Sequence, residues 1–255
     1  MIEPLFLAHG SPMLAIQENA YSEFLRSLGQ SVKPQAIVIF TAHWESQVLT
    51  ISASDEVYET IYDFYGFPEE MYRIKYPARG SSKLAGRLQA KLEAAGIPVR
   101  LDTSRGLDHG SWVLLQKMYP EADVPVVQVS VHPFLSPQEQ IEIGNVLRGL
   151  DAEDILVIGS GVTVHNLRAV KWGQSEPEPW ALQFDEWLLE QMQKPGYGEL
   201  LNYEHAAPHA RMAVPRPEHF VPLLIALGSG SPDRAPKEIF RAYEFGTLSY
   251  LCMAF

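Results

Sequence analysis

The amino-acid sequence predicts an α/β fold in which helices flank a largely parallel or mixed central sheet. Residues 36–42, 125–131 and 155–159 are almost entirely apolar, as expected for strands that are covered on both faces. Amphipathic helical patterns lie between these runs, and alternation of strands and helices is typical of α/β proteins. No linker rich in Pro, Gly or Ser divides the chain, so we expect one domain spanning residues 1–255.

Seven segments have the apolar content and length that predict strands. They are residues 2–8, 36–42, 48–53, 99–102, 125–131, 155–159 and 243–253.

Four helices are predicted between and after these strands. Leucines recur at a spacing of four residues across 84–92, which is a helical period. Residues 136–139 read Ser-Pro-Gln-Glu, a capping box with proline at the first helical position. Residues 180–192 and 220–227 complete the set, and Pro222 fits the last helix only within its first turn.

The composition excludes several classes of protein. The single cysteine, Cys252, allows neither an internal disulfide nor a cysteine metal cage. The lack of disulfides fits a reducing compartment, so we expect a cytoplasmic protein. Residues 1–10 lack the basic region and cleavage site of a signal peptide, and no apolar run approaches the ~20 residues of a membrane span. The net charge of −11 argues against nucleic-acid or anionic-membrane partners.

Two long segments, 54–77 and 193–217, show no regular pattern, and the first is rich in tyrosine. Long irregular segments in compact domains are often lids or binding loops. Solvated loops with aromatic side chains lying on the surface are an equal alternative.

Five of the eight histidines lie where α/β proteins place ligand sites. His9 and His43 follow apolar strands, and in open α/β sheets the site lies beyond the strand C-termini. A buried imidazole without a partner costs about 1–3 kcal/mol, so His43 at the end of its strand needs a metal, a carbonyl or a carboxylate. For His9 the alternative is a hydrogen-bonded loop residue. Of the other three, His165 follows a glycine-rich strand end, and His109 and His219 lie near predicted helix starts. Imidazole is both the commonest metal ligand and an acid or base near neutral pH.

His109 is preceded by Asp108 and lies just before a predicted helix start at Ser111. A neighbouring carboxylate can fix the tautomer of an imidazole and raise its basicity. The alternative is that His109 is an incidental residue of a helix N-terminus.

The chain resembles the class III extradiol ring-cleaving dioxygenases, and in particular their 4,5-DOPA dioxygenase-type branch. The resemblance runs from His9 to the C-terminus and rests on several motifs in the same order. These are HGSP (9–12), TAHWES (41–46), DFYGFP (63–68), RGLDHGSW (105–112), GSGVTVHNL (159–167) and EHFVPLL (218–224). It implies a one-domain α/β fold with a mononuclear non-haem Fe(II) that binds a catechol and O2.

The resemblance also implies roles for the histidines. His9 and His43 match two metal ligands, and His219 matches the third. The wider superfamily has a glutamate as third ligand, so the adjacent Glu218 is the alternative. His109 and His165 match the two histidines that act as acid and base around the bound substrate.

Three protein ligands on one face of a metal leave open positions for a bidentate catecholate and for O2. Trp44, Tyr65 and Phe67 are the candidate aromatic contacts for the substrate ring, with ordinary core packing as the alternative for each.

Two rival functions stay open. Three histidines and an open position also describe a catalytic zinc site, in which Glu218 or Glu45 would be the base of a hydrolase. A purified sample could carry zinc, which binds such sites more tightly than Fe(II) does. The second rival is a non-catalytic binding protein of the same fold, against which the presence of both His109 and His165 argues. The sequence does not identify the catechol or the ring bond that is cleaved (4,5 or 2,3). It does not give the oligomeric state either, so a homo-oligomer is one of the open alternatives.

Overall fold

Strands covered by helices on both faces form the centre of the protein. A computed structural model describes residues 2–255. Its strands are β1 Leu5–Ala8, β2 Ala36–Glu45, β3 Leu49–Ser52, β4 Val99–Asp102, β5 Val126–Val131, β6 Ile155–Gly161, β7 Lys237–Phe240, β8 Tyr243–Glu244, β9 Leu248–Ser249 and β10 Cys252–Ala254. Its α-helices are α1 Ala20–Ser31, α2 Ser82–Ala94, α3 His109–Met118, α4 Pro137–Val146, α5 Pro179–Met192, α6 Tyr203–Ala206, α7 Ala210–Ala213 and α8 Val221–Ser229.

The central sheet has eight strands in the order β4-β3-β5-β2-β6-β1-β10-β7. The inner strands β5, β2, β6 and β1 run parallel, whereas β3 is antiparallel to β5, and β10 is antiparallel to both β1 and β7. The sheet is therefore mixed, with a parallel centre, and the predicted fold class is confirmed. Among residues 2–255, no helix has both the length and the apolar character needed to cross a membrane.

The alternation of side chains along β2 separates the two layers of the core. Ile37 and Ile39 pack in a cluster with residues of α1 and α3. Val38 and Phe40 pack in a second cluster with residues of α2, α4 and α8. Successive side chains of a strand point to opposite faces, so apolar side chains on both faces of β2 explain its continuous apolar run.

The strand register brings the first two sequence-predicted histidines to one edge of the sheet. Ala8 of β1 pairs with Gly161 of β6, and Thr41 of β2 pairs with Ser160 of the same strand. The residues that continue β1 and β2 therefore meet at the C-terminal end of β6, where α/β folds bind their ligands.

The helix signals in the sequence are confirmed in detail. The Ser136 side chain accepts a hydrogen bond from the Glu139 backbone, and the Glu139 carboxylate accepts one from the Ser136 backbone, so the capping box is complete. Pro222 lies in the first turn of α8, where its missing N–H leaves no helical bond unmade.

The predicted long strand over 243–253 is wrong. Backbone turns at Phe245 (φ +51°) and Gly246 (φ +71°) divide it, and β8 and β9 form a separate two-stranded ribbon. An isolated glycine within a strand pattern was the available signal for this break. Strand β7 and helix α1 were not predicted.

The tyrosine-rich segment 54–77 is anchored on the core. Tyr58, Met71 and Tyr76 are buried in the cluster beneath α3, and the Tyr76 hydroxyl donates to the Tyr119 carbonyl at 3.0 Å. Parts of the segment are thus fixed against the core, whereas Val57 and Tyr65 are exposed to solvent.

Candidate metal centre

Three histidines converge beyond the C-terminal edge of the central strands. His9 directly follows β1, His43 lies near the end of β2, and His219 lies just before α8. The Nε2 atoms of His9 and His43 are 3.1 Å apart, and one ligand atom from each of the three histidines lies within 4.8 Å of the others. Two nitrogens that share a metal at bond lengths of about 2.1 Å stand roughly 3 Å apart, so this spacing fits a common ion.

The tautomer of His9 is fixed by β6. The Ser160 hydroxyl donates to the Gly110 carbonyl, so its oxygen is available as an acceptor. It lies 3.0 Å from Nδ1 of His9, which places the imidazole proton on Nδ1 and the lone pair on Nε2. A second partner of this kind orients a metal-binding histidine and raises its basicity.

Carboxylates fix the other two imidazoles in the same way. Nδ1 of His43 lies 3.2 Å from Oδ2 of Asp63, and Nδ1 of His219 lies 3.2 Å from Oε1 of Glu218. In each of the three histidines, Nδ1 has an acceptor and Nε2 is left free to bind a metal.

His219 has a ring nitrogen that no protein group in the described part of the chain satisfies. Its Nε2 is buried and has no hydrogen-bond partner among residues 2–255. An unpaired buried polar atom is costly, and a metal ion would satisfy it. Burial and the neighbouring histidines lower the pKa of His9 and of His219 well below the usual range, which keeps both imidazoles neutral, as metal binding requires.

The carboxylate of Glu218 is engaged behind His219. One of its oxygens contacts Nδ1 of His219, and the other lies 3.4 Å from Nε of Arg216. This arrangement favours His219 over Glu218 as the third ligand and gives Glu218 a supporting role.

Two glycines let the ligand-bearing segments approach each other. A Cβ atom at Gly161 would lie 2.2 Å from the His219 carbonyl oxygen, which accepts a hydrogen bond from the Val162 backbone at 2.9 Å. A Cβ atom at Gly110 would lie 3.0 Å from the ring of His43. A side chain at either position would displace a histidine of the cluster.

Asp63 is the functional residue that the sequence reasoning missed. Its Oδ2 lies 3.0 Å from Nδ1 of His109 as well as 3.2 Å from Nδ1 of His43, and its Oδ1 accepts from the His109 backbone at 2.9 Å. Burial alone would raise the pKa of Asp63, but the hydrogen bonds from His109 and His43 outweigh burial and hold it well below its usual range. The motif DFYGFP contains Asp63 and was the available signal.

Asp108 does not have the role expected from its position in the sequence. Its buried carboxylate accepts hydrogen bonds from the Thr41 hydroxyl at 2.7 Å and from Arg105 at 3.1 Å. His109 begins α3, so its side chain projects away from Asp108 and toward Asp63. Asp108 therefore fixes the ends of β2 and α3 rather than the His109 imidazole.

The other two histidines, His109 and His165, lie against the proposed metal-binding set, which consists of His9, His43 and His219. The ring of His109 is 3.9 Å from that of His43, and the ring of His165 stacks on that of His219 at 3.7 Å. Burial and the adjacent His219 lower the pKa of His165 to about 3. Burial also lowers the pKa of His109, with the contact to Asp63 opposing it. Both imidazoles are therefore neutral near pH 7.

All five histidines line one cavity of about 470 Å³. Phe67, predicted as an aromatic contact, lines this cavity together with Phe64, which was not predicted. The ring of Phe64 packs 5.8 Å from that of His109. The cavity is large enough for a single aromatic ring with a short side chain.

The structure does not bring Trp44 or Tyr65 to this cavity. Trp44 follows His43 on β2 and so points to the opposite face of the sheet, where its ring packs 4.8 Å from the Arg105 guanidinium. Tyr65 is 92% exposed, because it lies between Phe64 and the turn at Gly66 and points to solvent.

Replacing Asp63 with asparagine is expected to weaken metal binding and to reduce turnover further. An amide cannot hold the Nδ1 protons of His43 and His109 together, and loss of such supporting contacts typically costs about 10–100-fold in metal affinity or activity. Metal titration and steady-state kinetics on one preparation measure both effects. Asp55→Asn, on an exposed carboxylate that holds Ser82, is the matched control and should change neither. Unchanged metal affinity and turnover in the Asp63 variant would remove its supporting role.

Comparisons with known proteins agree with this geometry. A model of the family described as the catalytic LigB subunit of aromatic ring-opening dioxygenase matches residues 4–253. The 4,5-DOPA dioxygenase extradiol of Beta vulgaris is 40% identical over 253 residues, covering 97% of this chain and 94% of its own length. The protein of the same name from Escherichia coli K12 is 42% identical over 254 residues, covering 97% and 92%. The crystal structure of an uncharacterized protein from Escherichia coli K12 superimposes with a TM-score of 0.85 at 37% identity, covering 100% of both chains.

Proposed function

The chain belongs to the family of the catalytic LigB subunit of aromatic ring-opening dioxygenases, and we propose that it is an Fe(II)-dependent extradiol dioxygenase. In this proposal it inserts both atoms of O2 into a catechol of the DOPA type. The observation that carries the proposal is the set of His9, His43 and His219, each with an acceptor near Nδ1, which line one cavity together.

His9, His43 and His219 would hold the metal. Bound there, Fe(II) would supply a Lewis acid that lowers the pKa of a catechol hydroxyl, with coordination positions open to small ligands. The cavity walls would orient the substrate ring, and Phe64 and Phe67 are the aromatic side chains suited to contact it.

His109 is the side chain best placed to accept the hydroxyl proton. Oδ2 of Asp63 lies 3.0 Å from Nδ1 of His109, close enough to stabilise the imidazolium once it forms, and Nε2 would then be the proton acceptor. His165 is a second neutral imidazole on the other side of the metal-binding set, stacked on His219. It lines the same cavity and is the second acid–base residue of this proposal, since general acid–base residues act within hydrogen-bond reach of the substrate.

The hydrolase alternative lacks a free base among the residues suggested for it. Glu45 pairs with Arg216 at 2.8 Å, and Glu218 contacts both Arg216 and His219. Both carboxylates are thus ion-paired, which makes each a weaker general base than a carboxylate without a cationic partner. A catalytic domain spanning residues 1–255 and a cytoplasmic location stay predictions.

Anaerobic loading with Fe(II), followed by air and a panel of catechols, tests the proposal. We expect a yellow semialdehyde product, measured by its visible absorbance, with DOPA among the substrates. Caffeate and protocatechuate complete the panel, and protein loaded with Zn(II) is the control that should stay inactive. Hydrolysis of esters or amides by the zinc form, with no coloured product from the iron form, would favour the hydrolase.

A further inference from the structure

The proposed catalytic cavity contains one feature that ring opening alone does not require. Glu244 lines the cavity, and of the lining residues it is the one with a carboxylate. Within the described chain, residues 2–255, no lysine or arginine lines this cavity. Apart from its histidines, the cavity therefore presents a single negative charge to whatever binds there.

The position of Glu244 is fixed relative to the histidines. Its Oε2 accepts a hydrogen bond from the Tyr250 hydroxyl at 2.7 Å. Burial and the nearby Glu244 carboxylate raise the pKa of Tyr250 far above its usual range, so Tyr250 stays a neutral donor. The Tyr250 ring also fills the space beside Gly10, where a Cβ atom would lie 2.5 Å from it. Gly10 follows His9, a proposed metal ligand. Tyr250 therefore contacts both the Glu244 carboxylate and the loop that carries His9.

The surroundings of Glu244 suit a cation. Phe245 and Trp172 line the same cavity, and their rings lie 4.6 Å apart. Aromatic faces attract cations, and a carboxylate accepts charge-assisted hydrogen bonds from an ammonium group. Trp172 is 80% exposed, which places this pair at the mouth of the cavity, away from the buried histidines.

We infer that Glu244 determines specificity by binding a protonated amine on the side chain of the catechol. This inference rests on the proposed function, which identifies the substrate ring as a catechol. It adds that an ammonium group on the side chain distinguishes good substrates from poor ones. Catechols with an ammonium group would be favoured over those with a carboxylate alone, because Glu244 repels the latter and no cation compensates.

Two matched pairs of ligands test the inference. Dopamine is compared with 4-ethylcatechol, and L-DOPA with 3-(3,4-dihydroxyphenyl)propionate, since each pair differs by the amine. Dissociation constants are measured by anaerobic titration of metal-loaded protein, and kcat/KM by oxygen uptake. A hydrogen bond to a charged group contributes about 1.5–3 kcal/mol; because Glu244 is half-buried, we expect the low end, roughly a tenfold preference for the amine in each pair.

Glu244→Gln should remove this preference, because the amide keeps an acceptor for Tyr250 but loses the charge. Glu186→Gln, on the exposed face of α5, changes the net charge equally and should leave the preference intact. Glu244→Asp should keep part of it. A wild-type protein that binds both members of each pair equally, or a Glu244→Gln variant that keeps the preference, would overturn the inference.

Failure of the inference about Glu244 can be distinguished from failure of the proposed function. If the amine preference in binding is present and is lost in Glu244→Gln, the inference stands even when no catechol is opened. If all catechols are opened with no preference for the amine, the proposed function stands and the inference fails. A purely structural role for Glu244 predicts that Tyr250→Phe and Glu244→Gln lower stability without changing the ratio within either pair.

Discussion

Replacing His9, His43 or His219 with alanine is expected to abolish tight binding of the proposed divalent metal. One ring nitrogen from each of the three imidazoles lies within 4.8 Å of the other two, and removing one imidazole leaves too few ligands to hold an ion against water. Metal content after anaerobic loading and dialysis should fall from about one equivalent per chain to near zero. Melting temperature on the same samples separates loss of the metal from loss of the fold.

Glu218→Gln is the control for the third ligand. Its amide oxygen can still accept from Nδ1 of His219, so the variant should keep the metal with at most the roughly 10–100-fold weakening that loss of a supporting contact causes. Full metal occupancy in His219→Ala together with loss of metal in Glu218→Gln would show that Glu218 is the ligand.

Alanine at His109 or His165 is expected to spare metal binding and to reduce turnover. Neither residue completes the metal-binding set, yet both line the cavity. General acid–base catalysis is typically worth about 10²–10⁴-fold, so kcat should fall by that range while the catechol still binds. Metal content, catechol binding under anaerobic conditions and kcat are measured on the same preparations.

The competing explanation gives these histidines structural roles alone. His109 is the first residue of α3, and the His165 backbone donates to the Ala213 carbonyl at 2.9 Å. On that view both variants would melt at lower temperature but keep their specific activity per folded molecule. Near-normal turnover in both folded variants would remove the acid–base assignment.

The parts of the fold that could be predicted are those with a local physical signature. Continuous apolar runs identified the inner strands because both faces of β2, β5 and β6 are buried. The strand-end positions of His9 and His43 followed from the same runs. His165 and His219 lie after a glycine-rich strand end and before a helix start, which placed them near a ligand site, but only the resemblance to a family assigned their roles.

The misses have physical reasons as well. Asp63 lies in a segment without periodicity, so nothing local shows that it faces two histidines. Trp44 could have been excluded, because a strand that points His43 into the cavity must point the next side chain away. The ribbon of β8 and β9, which carries Glu244, was missed because Gly246 was not taken as the turn that divides residues 243–253.

The fate of the two atoms of O2 tests the central claim most directly. Iron(II)-loaded protein is given a catechol under ¹⁸O₂, the ring-opened product is reduced at once to prevent exchange of the aldehyde oxygen, and its mass is measured. The account predicts one O2 consumed per catechol and both labelled atoms in the product. A product with one labelled atom or none, or no oxygen uptake with any catechol by protein that holds a full equivalent of iron, would contradict it.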